Sequence, residues 1–401
     1  MTDISTGLIH HPYLPPQGFE APQPAVHKAS TVFFPNVAAL HSRDWKHKTG
    51  YTYGLHGTPT TFLLEERLAT LEGGRHCLLV PSGLAAIATV SLSLLKSGDE
   101  VLLPDNAYGP NKALVQGELR AYGISHRLYD AMDTADLAAK LSDRTALVWL
   151  EAPGSVTMEF PDLPALVRLC RARGVRCALD NTWGAGLAFN PFELDADGLA
   201  VDVSVHALTK YPSGGGDVLM GSIVSRDPAL HMRLNMTHMR LGLGVGANDA
   251  EALLRSLPSL PLRYAAHDAA ARGLARWLAG RDEIAGVLHP ALPGAPGHAH
   301  WKALCGTRDR AAGLFSVVFD ARHTRERVHA FCDALRLFRI GYSWGGPISL
   351  VVPYDIGEMR DPAVTRWPHA GMLVRFSIGL EAAQDLRVDL EQALATLALA
   401  V

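Results

Sequence analysis

Val201-Asp202-Val203-Ser204-Val205-His206-Ala207-Leu208-Thr209-Lys210, followed by Tyr211-Pro212-Ser213-Gly214-Gly215-Gly216-Asp217, carries a lysine into a glycine-rich loop. Valines at 201, 203 and 205 favour extended backbone, and the run reads as a buried strand whose last residue is Lys210. Burial disfavours an ammonium and lowers its pKa, so the neutral amine becomes a nucleophile toward a carbonyl. A strand-end lysine also reaches water along its own stem, so Lys210 alone leaves both readings open.

The stretches around this run supply what a single lysine lacks. Short β-rich runs at 77–80, 100–103, 146–150, 175–179, 201–205 and 219–224 alternate with helical patterns, which predicts a mostly parallel sheet covered by helices. Ligands in such sheets bind beyond the carboxyl ends of the strands. The run at 175–179 ends in Asp180-Asn181-Thr182-Trp183, and a fixed carboxylate there would keep a pyridine nitrogen protonated, the state in which pyridoxal 5′-phosphate (PLP) is the better electron sink. Asp180 also fits an ordinary turn. Pro81-Ser82-Gly83-Leu84-Ala85-Ala86, between strand and helix, offers free N–H groups to a phosphate, and Thr209 adds a hydroxyl beside the lysine. In Val374-Arg375-Phe376 an arginine sits within an apolar strand, where it needs a carboxylate from either a substrate or the protein itself.

The 401 residues suit two domains, divided as an arm at 1–50, a cofactor-binding domain at 51–250 and a smaller α/β domain at 251–401. In the last of these, 284–288, 314–319 and 373–378 read as strands, with helices near 324–335 and 383–397; Asn248-Asp249 reads as an N-cap ahead of a long helical pattern. With 48% apolar residues, 19% charged residues and a net charge of -3, the composition argues against disorder and against an electrostatic hold on nucleic acid. The apolar stretch 77–95 is interrupted at Pro81-Ser82-Gly83 and is not read as a membrane span; the start lacks a secretory pattern. Cys77, Cys170, Cys177, Cys305 and Cys332 lack metal or redox spacing, which fits reduced thiols in a cytoplasm. The pairs His10-His11 and His298-Ala299-His300 lack acidic or thiolate partners for a metal. Gly242-Leu243-Gly244-Val245-Gly246 follows a helical pattern rather than a strand, so it lacks the context of a dinucleotide loop.

Together these stretches resemble the Cys/Met-metabolism PLP enzymes, the family of the cystathionine lyases and synthases, over nearly the whole chain from about Val26 onward. The most specific pieces are Asp180-Asn181-Thr182, Thr209-Lys210-Tyr211 and Arg375-Phe376-Ser377-Ile378-Gly379-Leu380-Glu381, supported by Tyr53-Gly54-Leu55-His56-Gly57-Thr58-Pro59-Thr60. The resemblance implies a type I PLP-dependent transferase fold, with a mostly parallel seven-stranded sheet and a smaller C-terminal α/β domain. It implies Lys210 as the cofactor-binding lysine and proton shuttle, Asp180 on the pyridine nitrogen, and Tyr108 stacked on the ring. Gly83 and Leu84 N–H groups and the Thr209 hydroxyl would hold the phosphate. Tyr53 would reach that phosphate across a subunit boundary, implying a homo-oligomer, a dimer of dimers. Arg375 would bind the substrate α-carboxylate, with Tyr342, Ser343 and Trp344 beside it.

Within the family, Glu151-Ala152-Pro153-Gly154-Ser155-Val156-Thr157-Met158-Glu159 and Tyr342 resemble the bacterial cystathionine β-lyase branch, since γ-acting members usually carry Asn-Pro at the first place and glutamate at the second. That branch implies a role in methionine biosynthesis, with cystathionine converted to homocysteine, pyruvate and ammonia. A broader cysteine-S-conjugate β-lyase or cysteine desulfhydrase, or a γ-eliminating relative, is the alternative. Two positions depart from the pattern: Leu55 stands where the family places a phosphate-binding arginine, with His56 as the nearest substitute cation. His238 stands where some β-lyases have tyrosine.

Overall fold

Seven strands make the larger sheet: β1 (His76–Val80), β2 (Glu100–Pro104), β3 (Ser125–Tyr129), β4 (Thr145–Glu151), β5 (Arg176–Asp180), β6 (Val203–Ala207) and β7 (Gly221–Ser225). They lie in the order β1-β7-β6-β5-β4-β2-β3. Strands β3, β2, β4, β5 and β6 run parallel, whereas β7 is antiparallel to both of its neighbours. The runs are apolar without alternation because both faces are covered: Leu79, Val148 and Leu179 pack into one helix-backed core, and Val80, Trp149 and Ala178 into the other. The coordinates are a computed structural model describing residues 4–10, 13, 14 and 16–398; His11, half of the amino-terminal histidine pair, lies outside them.

The smaller sheet contains β8 (Ile284–Leu288), β9 (Leu314–Phe319), β10 (Arg339–Ile340), β11 (Leu350–Tyr354) and β12 (Leu373–Ser377), ordered β10-β11-β12-β9-β8. One face of this sheet packs Phe315, Phe376 and Val351 against Phe331 and Leu390 from two covering helices. Arg375, pointing to the opposite face from Phe376, is thereby turned toward the larger sheet.

Two expectations need correction. β6 ends at Ala207, and Lys210 sits in the turn that follows, so the strand aims the loop rather than carrying the lysine itself. Asn248 and Asp249 lie inside the Ala247–Ser256 helix, whose N-cap is Gly246. Gly242 is the left-handed C-cap of the Pro228–Leu241 helix, with φ 66°, so the glycines that follow belong to a helix end. Strands β3, β10 and β11 were not anticipated. Among the described residues, no helix is long and apolar enough to cross a membrane.

Candidate active site

The carboxyl ends of β4, β5 and β6 open into a cavity of about 660 Å³, closed from the other side by β12 and the turn at Tyr342–Trp344. Lys210 Nζ projects into it, donates to Ser343 Oγ at 2.8 Å and lies 5.6 Å from the Trp344 ring centre. Burial, and then the Arg375 charge, push the Lys210 ammonium down to about 8, partly opposed by Asp180. The neutral amine is therefore more accessible than in an ordinary exposed lysine. Ser343 has φ 89°, an unfavourable backbone for a residue with a Cβ, and this turn aims its hydroxyl at Lys210 and its carbonyl at Arg375 Nη2, 3.4 Å away.

Arg375 is only 8% exposed, and its Nε is buried without a hydrogen-bond partner. Its main neighbours are the Tyr354 ring, 5.5 Å from the guanidinium, and Tyr342; no acid is among them. Among the described residues, no acid forms an ion pair with it. Burial pushes its pKa down, so the site holds a desolvated cation that an anion entering the cavity would stabilise.

On the opposite wall, Asp180 is part-buried and accepts from the Thr182 N–H at 3.0 Å and the Thr182 hydroxyl at 2.5 Å, both on Oδ1. Burial raises its pKa, with Thr182, His206 and Lys210 pulling the other way. Glu151 is its register partner on β4 and also lines the cavity. Tyr108 stands at the rim as the N-cap of the Gly109–Leu114 helix, with its N–H donating to Glu151 Oε2 at 2.7 Å. Burial and the two acids raise the Tyr108 phenol pKa.

The third wall is the amino end of the Gly83–Leu94 helix. Ser82 caps it, its hydroxyl accepting from Ala85 N–H at 3.0 Å and its carbonyl from Ala86 N–H, which leaves the Gly83 and Leu84 N–H groups without intrahelical acceptors. A Cβ on Gly83 would come within 2.5 Å of the Ala207 Cβ, so only glycine permits this approach of helix to strand. The Thr209 hydroxyl lines the same region while bonded to the Met220 backbone. An anion cradle, a lysine of depressed pKa and a part-buried carboxylate thus lie around one cavity, which is the donor set PLP requires.

Gly83, Leu84, Tyr108, Asp180, Thr209 and Lys210 all line this cavity, as do Tyr342, Ser343, Trp344 and Arg375, although Tyr342 is largely exposed. Tyr53 does not. It is half exposed on a segment pinned to Ser30 and Thr31, beside a separate cavity of about 60 Å³ lined by Leu55, His56 and His238. His238 bonds the Leu79 carbonyl at 2.8 Å and is turned away from Lys210's cavity. Sequence reasoning overlooked Glu151, Ser155, Tyr354 and Met359 as lining residues. Glu151 could have been found by the strand-end argument that found Asp180; Tyr354 and Met359 carry no signal of that kind.

The protein-family model for Cys/Met metabolism PLP-dependent enzymes matches residues 5–395. The chain is 40% identical over 372 residues to the cystathionine beta-lyase of Bordetella avium, covering 92% of this chain and 90% of that one. It is 34% identical over 374 residues to the cystathionine beta-lyase of Escherichia coli K12, covering 91% of each. Among solved structures, cystathionine gamma synthase from Xanthomonas oryzae pv. oryzae in complex with cystathionine superposes with a TM-score of 0.83 at 29% identity, over 94% of this chain and 93% of that one.

Proposed function

We propose that this chain, which belongs to the Cys/Met metabolism PLP-dependent enzyme family, is a cystathionine β-lyase working as a cytoplasmic homo-oligomer. The observation that carries this reading is Arg375: a buried guanidinium without an acid partner, in one cavity with Lys210 and Asp180. An amino-acid α-carboxylate satisfies it with two parallel hydrogen bonds.

The residues present fit PLP. Lys210 would hold its aldehyde carbon, Asp180 its pyridine nitrogen, Tyr108 its ring face, and Gly83, Leu84 and Thr209 its phosphate. When bound, the cofactor supplies an electron sink for the charge left at the substrate α-carbon. The substrate amine would displace Lys210 from the aldehyde carbon, and Arg375, fixing the carboxylate, would orient the α-proton toward the freed Lys210 amine, which would remove it. Ser343, bonded to Lys210 Nζ at 2.8 Å, holds that nitrogen in place. The Cβ–S bond breaks, Lys210 returns its proton to the departing sulfur, and water releases pyruvate and ammonia. Pro153 and Ser155 line the cavity and Tyr342 stands at its mouth, which supports β- over γ-elimination.

Oligomerisation is supported by the amino-terminal segment, where Leu14, Phe19 and Phe33 are each more than four-fifths exposed. Tyr53, absent from the cavity of its own chain, would complete the phosphate site of a second copy. Purified protein given cystathionine should form pyruvate and homocysteine in equal amounts. Predominant 2-oxobutyrate and cysteine would assign it to γ-elimination, and turnover of cysteine or S-alkylcysteines in preference to cystathionine would assign a broader C–S lyase.

A further inference from the structure

Glu151, part-buried at the end of β4, is the cavity carboxylate to which the mechanism above gives no task. It terminates β4 directly beside Asp180 on β5, the two being register partners in a parallel pair. Two like charges at that spacing in a partly desolvated cavity floor repel. The contacts of the two acids differ. Asp180 receives two hydrogen bonds on one oxygen, both from Thr182, an arrangement that suits a carboxylate. Glu151 accepts from the Tyr108 N–H, 2.7 Å from Oε2, and from the Ser155 hydroxyl, 2.5 Å from Oε1; the N–H can only donate, whereas the hydroxyl can turn to accept. A protonated Glu151, accepting at Oε2 and donating from Oε1, satisfies both contacts.

We propose that Glu151 is a positioning residue, a neutral acid that ties the Tyr108 backbone to the Ser155 hydroxyl and so fixes the Tyr108 ring over the cofactor while Asp180 alone carries negative charge toward it. The charged and titratable groups around it agree. Asp180 faces it from β5, Tyr108 from the loop after β2, and Tyr129 from β3, while Lys210 and Arg375 stand across the cavity. Burial first, and Asp180 second, push the Glu151 carboxyl up to about 8 against the opposing hydrogen bonds from Ser155 and the Tyr108 N–H, with no cation among its main influences. Ser155 is in turn anchored, its N–H donating to the Asn106 carbonyl at 2.8 Å, so the bridge joins two segments of cavity wall, at 106–108 and 151–155.

The inference rests on the site assignment proposed above but not on the identity of the substrate. Its test uses the holoenzyme and two readouts without turnover: the rate of PLP release on dilution, and the pH midpoint of the bound cofactor's visible absorption band. Glu151→Ala removes both contacts and should speed release about tenfold, the factor expected when a pair of positioning hydrogen bonds is lost. Glu151→Gln can accept from Tyr108 and donate to Ser155, so it should bring the release rate back to within about threefold of wild type and leave the pH midpoint in place. A midpoint moved by about one unit or more in Glu151→Gln would mean that Glu151 acts as an anion, and would overturn the proposal. So would a release rate in Glu151→Gln as fast as in Glu151→Ala. Asp180→Asn separates the layers: it should move the midpoint, and if it does not, the assignment of Asp180 fails while the bridge is judged on release rates alone.

Discussion

Arg375 and Lys210 occupy facing walls of one cavity, and each raises the cost of charging the other. The arginine cannot shed its proton, so the lysine pKa falls; in the proposed reaction the cation that would bind substrate also lowers the pKa of the amine that would act as base. Arg375→Leu should weaken substrate binding by about 2–5 kcal/mol, the usual effect of breaking a buried charge pair, and leave PLP bound. Substrate titration monitored through the cofactor spectrum measures both, and loss of cofactor with unchanged substrate affinity would make Arg375 structural. These two residues were legible because a charged group at the end of, or inside, an apolar run demands an explanation. Glu151 obeyed the same rule at the end of β4, but in the sequence it served only as part of a longer segment compared with relatives. That Arg375 lacks an acid partner was beyond the sequence, since any of the chain's carboxylates might have folded onto it.

Most strands were legible because a buried parallel sheet needs unbroken apolar runs. β3 escaped because Ser125–Tyr129 lies at the sheet edge, and only its last residue is fully buried. β11 escaped because Pro353 interrupts its pattern; the proline is tolerated there opposite Val374. The strand-to-helix turn at Gly83 was legible in kind, although its tolerance was not: the sequence showed a small residue, and the packing shows why nothing larger fits. Gly83→Ala places a methyl 2.5 Å from the Ala207 Cβ, so the helix end must shift. The expected cost is about 1–3 kcal/mol of stability, together with weaker PLP retention because the displaced Gly83 and Leu84 N–H groups no longer converge. Denaturant unfolding of the apoprotein and cofactor release from the holoprotein measure the two effects. Unchanged retention would remove this helix end from the phosphate site.

At the scale of the molecule, the cavity is made by two sheets together. β4, β5 and the loop after β6 provide Glu151, Asp180 and Lys210, while the smaller sheet provides Arg375 and the preceding turn Ser343. The amino-terminal segment with Tyr53 stands outside it, with Leu14, Phe19 and Phe33 exposed. All of these relations converge on one atom, Lys210 Nζ, whose lowered pKa, bond to Ser343 and place between Asp180 and Arg375 follow from the packing of both sheets. The direct measurement is reduction of the holoprotein with borohydride, which converts the carbon–nitrogen link between cofactor and lysine into a stable amine, followed by peptide mapping. The label should appear on the peptide containing Lys210 and vanish in Lys210→Ala; recovery of the label on a different lysine of the wild-type chain would contradict the account.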